Sequence, residues 1–135
     1  PTVVIDTCHN PHGARATIDA VTEAFDFTPL VGVVAMMADK DVDGVLGIFA
    51  EAMTSVVCTS IGSTTRALPA ADLGERAAGV FGADRVVVVP GMAEAIEEAV
   101  RLADEAGPGS GVLVAGSVYA AGEARALLVR PGADA

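Results

Sequence analysis

Thr2-Val3-Val4-Ile5-Asp6-Thr7-Cys8-His9-Asn10-Pro11-His12-Gly13 is the stretch on which the fold turns. Four β-favouring residues lead into a dense polar cluster. Ala14, Ile18, Val21 and Phe25 then follow at steps of three or four, the spacing of one helix face. The unit is strand, loop, helix.

The same alternation recurs along the chain. Short apolar runs lie at 2–5, 30–36, 55–59, 85–89 and 111–115. Helical spacing follows in Val42, Val45, Leu46, Phe49 and Met53, more weakly over 70–81, and in Met92, Ala95, Ile96, Ala99, Val100 and Ala103. A last helix is expected over about 117–128. Asp41 and Ser117 are candidate N-caps, and Gly107-Pro108-Gly109 ends the fourth helix. Five strands alternating with helices over short links predict an open α/β sheet, mostly parallel, with right-handed crossovers and helices on both faces. The expected domain is 1–130, with a frayed tail at 131–135.

The chain has 135 residues, of which 52% are apolar, 19% charged and only 4% aromatic, with no Trp. That is one domain with a core of Val, Ala, Leu and Ile, large enough to fold without metal or disulfide staples. A formal charge of −10, from 18 acids against 8 bases, disfavours nucleic acid as a partner. No apolar run approaches the ~20 residues of a membrane span, and no signal-peptide pattern is present. Cys8 and Cys58 both follow apolar runs, and a reduced, cytoplasmic setting is the simplest expectation. The chain starts on Pro1 with a strand almost at once, which reads as an excised piece or a processed product.

In open α/β sheets, ligands bind beyond the carboxyl ends of the strands. The candidate site therefore lies in 6–13, 38–41, 60–67, 90–91 and 116–119. The scarce cations lean to that edge: His9, His12 and Arg15 after the first strand, Lys40 after the second, Arg66 after the third, and Arg125 two turns beyond Ser117. Arg85 begins the fourth strand at the opposite edge. Several sharper motifs fail. Six residues separate Cys8 from Arg15 where a cysteine-phosphatase loop needs five. The lone lysine is misplaced for a receiver domain, and Cys8 stands where a haloacid-type phosphohydrolase needs a second Asp. Cys8, His9 and His12 make a weak zinc set, so no metal site is assigned. Neither G-x-x-x-x-G-K-[ST] nor G-x-G-x-x-G after the first strand is present.

Asp6-x-x-His9-Asn10-Pro11-His12-Gly13-Ala14 resembles the Asp-Gly-Ala-His-Asn-Pro signature of folylpolyglutamate and dihydrofolate synthases, relatives of the Mur ligases. Met37-Ala38-Asp39-Lys40-Asp41 resembles that family's Asp-Lys-Asp turn. Gly116-Ser117-Val118-Tyr119 with Gly122-Glu123-Ala124-Arg125 resembles its final Gly-Ser-x-Tyr segment, and Arg66-Ala67 fits an Arg-Ala pair in its third loop. Thr7-Cys8 departs from the usual Gly-Ala, and a β-branched Thr restricts the backbone there.

The resemblance implies a Rossmann-like C-terminal domain of an ATP-dependent ligase that joins L-glutamate to a folate or dihydropteroate carboxylate through an acyl phosphate. The N-terminal P-loop domain, which would hold most of the ATP and Mg contacts, is absent, and the domain alone is expected to be inactive. By the same resemblance Asp6 contacts the ribose, His9 lies near the phosphates or the acyl phosphate, and Ser117 lies near the incoming glutamate. Asn10 and Lys40 are assigned to the nucleotide, and Arg66 and Arg125 to anionic substrate groups. Each has a structural alternative: capping for Asn10 and Ser117, a helix start for His12, simple solvation beside Asp39 and Asp41 for Lys40. A Mur-type peptidoglycan ligase domain and a non-catalytic binding or interaction domain are the rival functions. Asp6→Ala is expected to weaken ATP use without unfolding the domain.

Overall fold

The computed structural model describes residues 1–129; the expected tail lies outside the described residues. The five strands are β1 (Thr2–Ile5), β2 (Leu30–Val34), β3 (Ser55–Cys58), β4 (Val86–Val88) and β5 (Gly111–Ala115). The five α-helices are α1 (Pro11–Ala24), α2 (Val42–Ala50), α3 (Ala70–Phe81), α4 (Met92–Ala106) and α5 (Val118–Leu128). The strands form one wholly parallel sheet in the order β1-β5-β2-β3-β4.

Successive residues of a strand face opposite sides of the sheet. Leu30, Val34, Val56, Cys58 and Leu113 therefore join α1, α2 and α3 in one core. Val31, Val33, Val57, Val112 and Val114 join α4 and α5 in the other. The central strands β2 and β5 are buried throughout, which explains their unbroken apolar runs. Ala95, Ala99 and Ala103 of α4 and Ala120 and Ala124 of α5 are buried, so those helices lie close on the sheet.

The helix starts follow the expected chemistry. Asn10 Oδ1 accepts from Gly13 N at 2.7 Å with Pro11 in the first turn, and Asp41 Oδ1 accepts from Gly44 N at 3.0 Å. Gly107, at φ 102, closes α4 in a conformation that suits glycine.

Four expectations shift. β2 ends at Val34, and the buried Ala35, Met36 and Met37 continue as irregular backbone. Arg85 closes a 3-10 turn (Ala83–Arg85) ahead of a shorter β4. Phe25 lies past the end of α1, is 40% exposed and stacks on Phe27. Met53 is buried but follows α2 rather than belonging to it.

Candidate active-site cleft

Because β5 inserts between β1 and β2, the loops leaving these three strands meet at the carboxyl edge of the sheet. A cleft of about 140 Å³ opens there. His9 after β1, Met37, Asp39 and Lys40 after β2, Arg66 after β3, and Ser117, Val118 and Tyr119 after β5 line it. Four of the sequence-predicted residues, His9, Lys40, Arg66 and Ser117, thus share one cavity.

Backbone contacts set this convergence. Gly116 N donates to Cys8 O at 3.0 Å, joining the β5 exit to the β1 exit. Gly116 has φ +113, and a Cβ there would stand 2.6 Å from Ala35 O, so only glycine fits without displacement. An antiparallel bridge joins Met37 to Ala67, flanked by Ala38 N to Arg66 O at 3.0 Å and Leu68 N to Met36 O at 2.8 Å. These bonds carry Arg66 from the distant β3 loop to the loop that bears Lys40. Ser117 is 1% exposed, and its Oγ accepts from Tyr119 N at 3.0 Å, so it is the cap of α5 and a cleft wall at once. His9 is half-buried, with Nδ1 3.1 Å from Thr7 O. When that nitrogen carries the proton, Nε2 is left as an acceptor.

The charge distribution sharpens the picture. Arg15 pairs with Glu51, Arg76 with Asp43, and Arg101 with Glu98 and Glu105. Arg15, expected among the cations of the ligand edge, is thereby occupied between α1 and α2. Among the described residues, Lys40 and Arg66 make no ion pair. Two unpaired cations facing one cleft of a strongly acidic protein fit an anionic ligand, a phosphate or a carboxylate. Asp39 adds a negative group beside them. No three His, Cys, Asp or Glu among the described residues cluster as a metal site would require.

The other candidates lie elsewhere. Asp6 does not line the cleft: its Oδ1 accepts from Cys8 N at 2.8 Å and from Thr17 Oγ1 at 2.9 Å. Asn10 is the cap of α1, and exposed His12 sits in its first turn. Arg125 borders a second, mostly apolar groove with Ile5, Thr7, Val118, Ala121, Gly122 and Val129. Val118 belongs to both cavities. Cys8 and Cys58 are free and buried. Tyr119, within the 116–119 stretch expected at the ligand edge but given no role there, is 46% exposed at the start of α5 and lines the cleft.

Residues 1–118 match the family model of the Mur ligase glutamate ligase domain. The chain belongs to that family. It is 41% identical over 140 residues to the dihydrofolate synthase/folylpolyglutamate synthase of Mycobacterium tuberculosis, covering 96% of this chain and 28% of that protein. The structure of the M. tuberculosis folylpolyglutamate synthase complexed with ADP superposes with a TM-score of 0.91 at 40% identity, covering 97% of this chain and 30% of that one. The folylpolyglutamate synthase of Thermotoga maritima matches with a TM-score of 0.75 at 25% identity, over 91% and 26% of the two chains. The chain therefore spans less than a third of the length of these relatives. Its fold is that of their glutamate-ligase domain. No helix among the described residues is long and apolar enough to cross a membrane.

Proposed function

We propose that this chain is the nucleotide- and glutamate-facing domain of a cytoplasmic ATP-dependent ligase that adds L-glutamate to a folate or dihydropteroate carboxylate. The observation that carries this is the cleft in which His9, Lys40, Arg66 and Ser117, drawn from four separate loops, converge with two cations unpaired. The M. tuberculosis relative has been solved with ADP and with AMPPCP, which supports a nucleotide as one occupant.

In the proposed reaction a folate carboxylate takes the γ-phosphoryl group of ATP. The amine of glutamate then attacks the acyl carbon, and phosphate leaves. This domain contributes position and charge without a covalent nucleophile. Lys40 and Arg66 draw in phosphate or carboxylate oxygens. His9, held through Nδ1, offers Nε2 toward the phosphates. Ser117, fixed as the cap of α5, borders the place of the incoming glutamate. Magnesium would neutralise phosphate charge, and its ligands are assigned to the part of the enzyme outside this chain. Closure of that part over the cleft would exclude water.

The test is ATP-dependent incorporation of labelled glutamate by the product of the whole gene, offered dihydropteroate, folates or peptidoglycan precursors. Glutamate addition to a pterin substrate, weakened through a raised KM in Lys40→Ala and Arg66→Ala, is the expected result. Activity on peptidoglycan precursors alone would replace the folate assignment with a cell-wall one. Absence of any ligation would favour a non-catalytic binding domain.

A further inference from the structure

Glu123 sits on the flank of α5, and its carboxylate reaches across to the loop between β3 and α3. Oε1 accepts from Gly62 N at 3.2 Å, and Oε2 accepts from Ser63 N at 2.8 Å and from Ser63 Oγ at 2.6 Å. Three donors from two adjacent residues, sixty positions away in sequence, converge on one side chain. α5 is the helix whose cap, Ser117, walls the cleft, and the loop is the one that carries Arg66. Glu123 is thus the direct link between two of the elements that build the cleft.

The loop is anchored at both ends. At its start Thr59 N donates to Val34 O at 2.9 Å, Ser60 N to Pro90 O at 3.3 Å, and Ala70 N to Ser60 Oγ at 2.7 Å. At its end Arg66 O and Leu68 N are tied to the β2 exit. Gly62 and Ser63, between these anchors, are exposed, and so is Arg66 at the second of them. Among the described residues, the hydrogen bonds that join Gly62 and Ser63 to another element all end on Glu123. Backbone this exposed is free to exchange its partners for water unless a charged acceptor holds it. Only Thr64 and Thr65 separate Ser63 from Arg66, and Arg66 N donates to Thr64 Oγ1 at 3.2 Å, so the stretch from the clamp to Arg66 is short.

We infer that Glu123 is a positioning residue of the cleft, clamping Gly62 and Ser63 so that Arg66 is held at the cleft rim to receive the anionic group of a substrate. This rests on the ligase reading above. The carboxylate is required because both its oxygens accept. A glutamine would turn an NH2 toward one of the N–H donors, and an aspartate is one methylene too short to span the gap.

The experiment is steady-state kinetics of the whole-gene enzyme carrying Glu123→Gln, Glu123→Ala, Arg66→Ala or the pair Glu123→Ala/Arg66→Ala. Hydrogen exchange of the Gly62 and Ser63 amides is measured alongside. Expected are a rise of about tenfold in KM for the one substrate whose KM also rises in Arg66→Ala, with kcat changed less than about threefold. The double variant should be no worse than Arg66→Ala, and amide protection at 62 and 63 should be lost. Ser63→Ala, which removes one arm of the clamp, should give a smaller rise of the same kind and serves if a Glu123 variant folds poorly. KM values unchanged in Glu123→Ala, or additive effects in the double variant, overturn the inference while leaving the ligase reading intact. A wild-type enzyme that ligates no glutamate overturns the reading itself.

Discussion

Thr17 Oγ1, on the buried face of α1, donates to Asp6 Oδ1 at 2.9 Å, and Cys8 N meets the same oxygen at 2.8 Å. Asp6 therefore ties the end of β1 to the helix that follows it, whatever its second oxygen binds. Asp6→Ala would leave a buried hydroxyl and an amide without their acceptor. The expected cost is about 1–3 kcal/mol, or a fall in Tm on the order of 3–10 °C by calorimetry. To the expected weakening of ATP use without unfolding, these two hydrogen bonds add a cost in stability. Asp6→Asn keeps an acceptor oxygen for both donors and is the cleaner probe: the fold should hold while KM for ATP rises. Unchanged ATP kinetics in the Asn variant would remove Asp6 from the nucleotide site.

Arg85 is a structural hub at the edge of the sheet away from the cleft. Its guanidinium donates to Thr54 O, Phe81 O, Ala50 O and Met53 O at 3.0, 3.3, 3.1 and 2.5 Å, and lies 5.0 Å from the Phe81 ring centroid. Phe81 ends α3 and Ala50 ends α2, so one cation satisfies carbonyls at two helix C-termini. Arg85→Met is expected to cost about 2–4 kcal/mol in urea unfolding. Arg85→Lys should recover little of it, because an ammonium lacks the planar fork that reaches four carbonyls. Full recovery by lysine would mean that charge alone matters there.

Burial pushes the Cys8 thiol up to about 11 and the Cys58 thiol up to about 12. Near pH 8 each then carries at least about a hundredfold less thiolate than an ordinary cysteine. In the native protein both should react slowly with a thiol-specific reagent, and both should titrate at once in denaturant. A fast native phase would show that one of them is reached by local opening.

The sequence announced the order and type of the elements because each signal was local. Strand runs, helical spacing and the caps at Asn10, Asp41 and Ser117 depend on neighbours within a few residues. The candidate site was half legible for the same reason: the residues after each strand could be named, but not which of them meet. That depends on β5 lying between β1 and β2 and on the Met37–Ala67 bridge, both long-range pairings. Arg66 joined the cleft by that bridge, whereas Arg125 fell on the flank of α5 away from it. Arg15 matched the ligand edge by position but found Glu51, thirty-six residues on. Phe25 fitted the helical spacing, yet α1 ended before it. Glu123 read as one more helix acid because its partners lie sixty positions back.

Glu123 also offers a pH signature. Burial alone would raise its pKa, but the hydrogen bonds from Ser63 and Gly62 outweigh that and hold the carboxyl below the ordinary glutamate value of 4.5. A carboxyl with a depressed pKa in the folded state stabilises the fold above its unfolded pKa, and loses that contribution as pH falls through the folded value. Protonation turns Glu123 into a neutral group with one donor, much like glutamine. The melting temperatures of wild type and Glu123→Gln should therefore differ at neutral pH and draw together as the pH falls below the ordinary glutamate value. Thermal melts across that range check it. A constant gap down to acid pH would mean that the clamp does not depend on the charge of Glu123, and that the glutamine variant fails through shape instead.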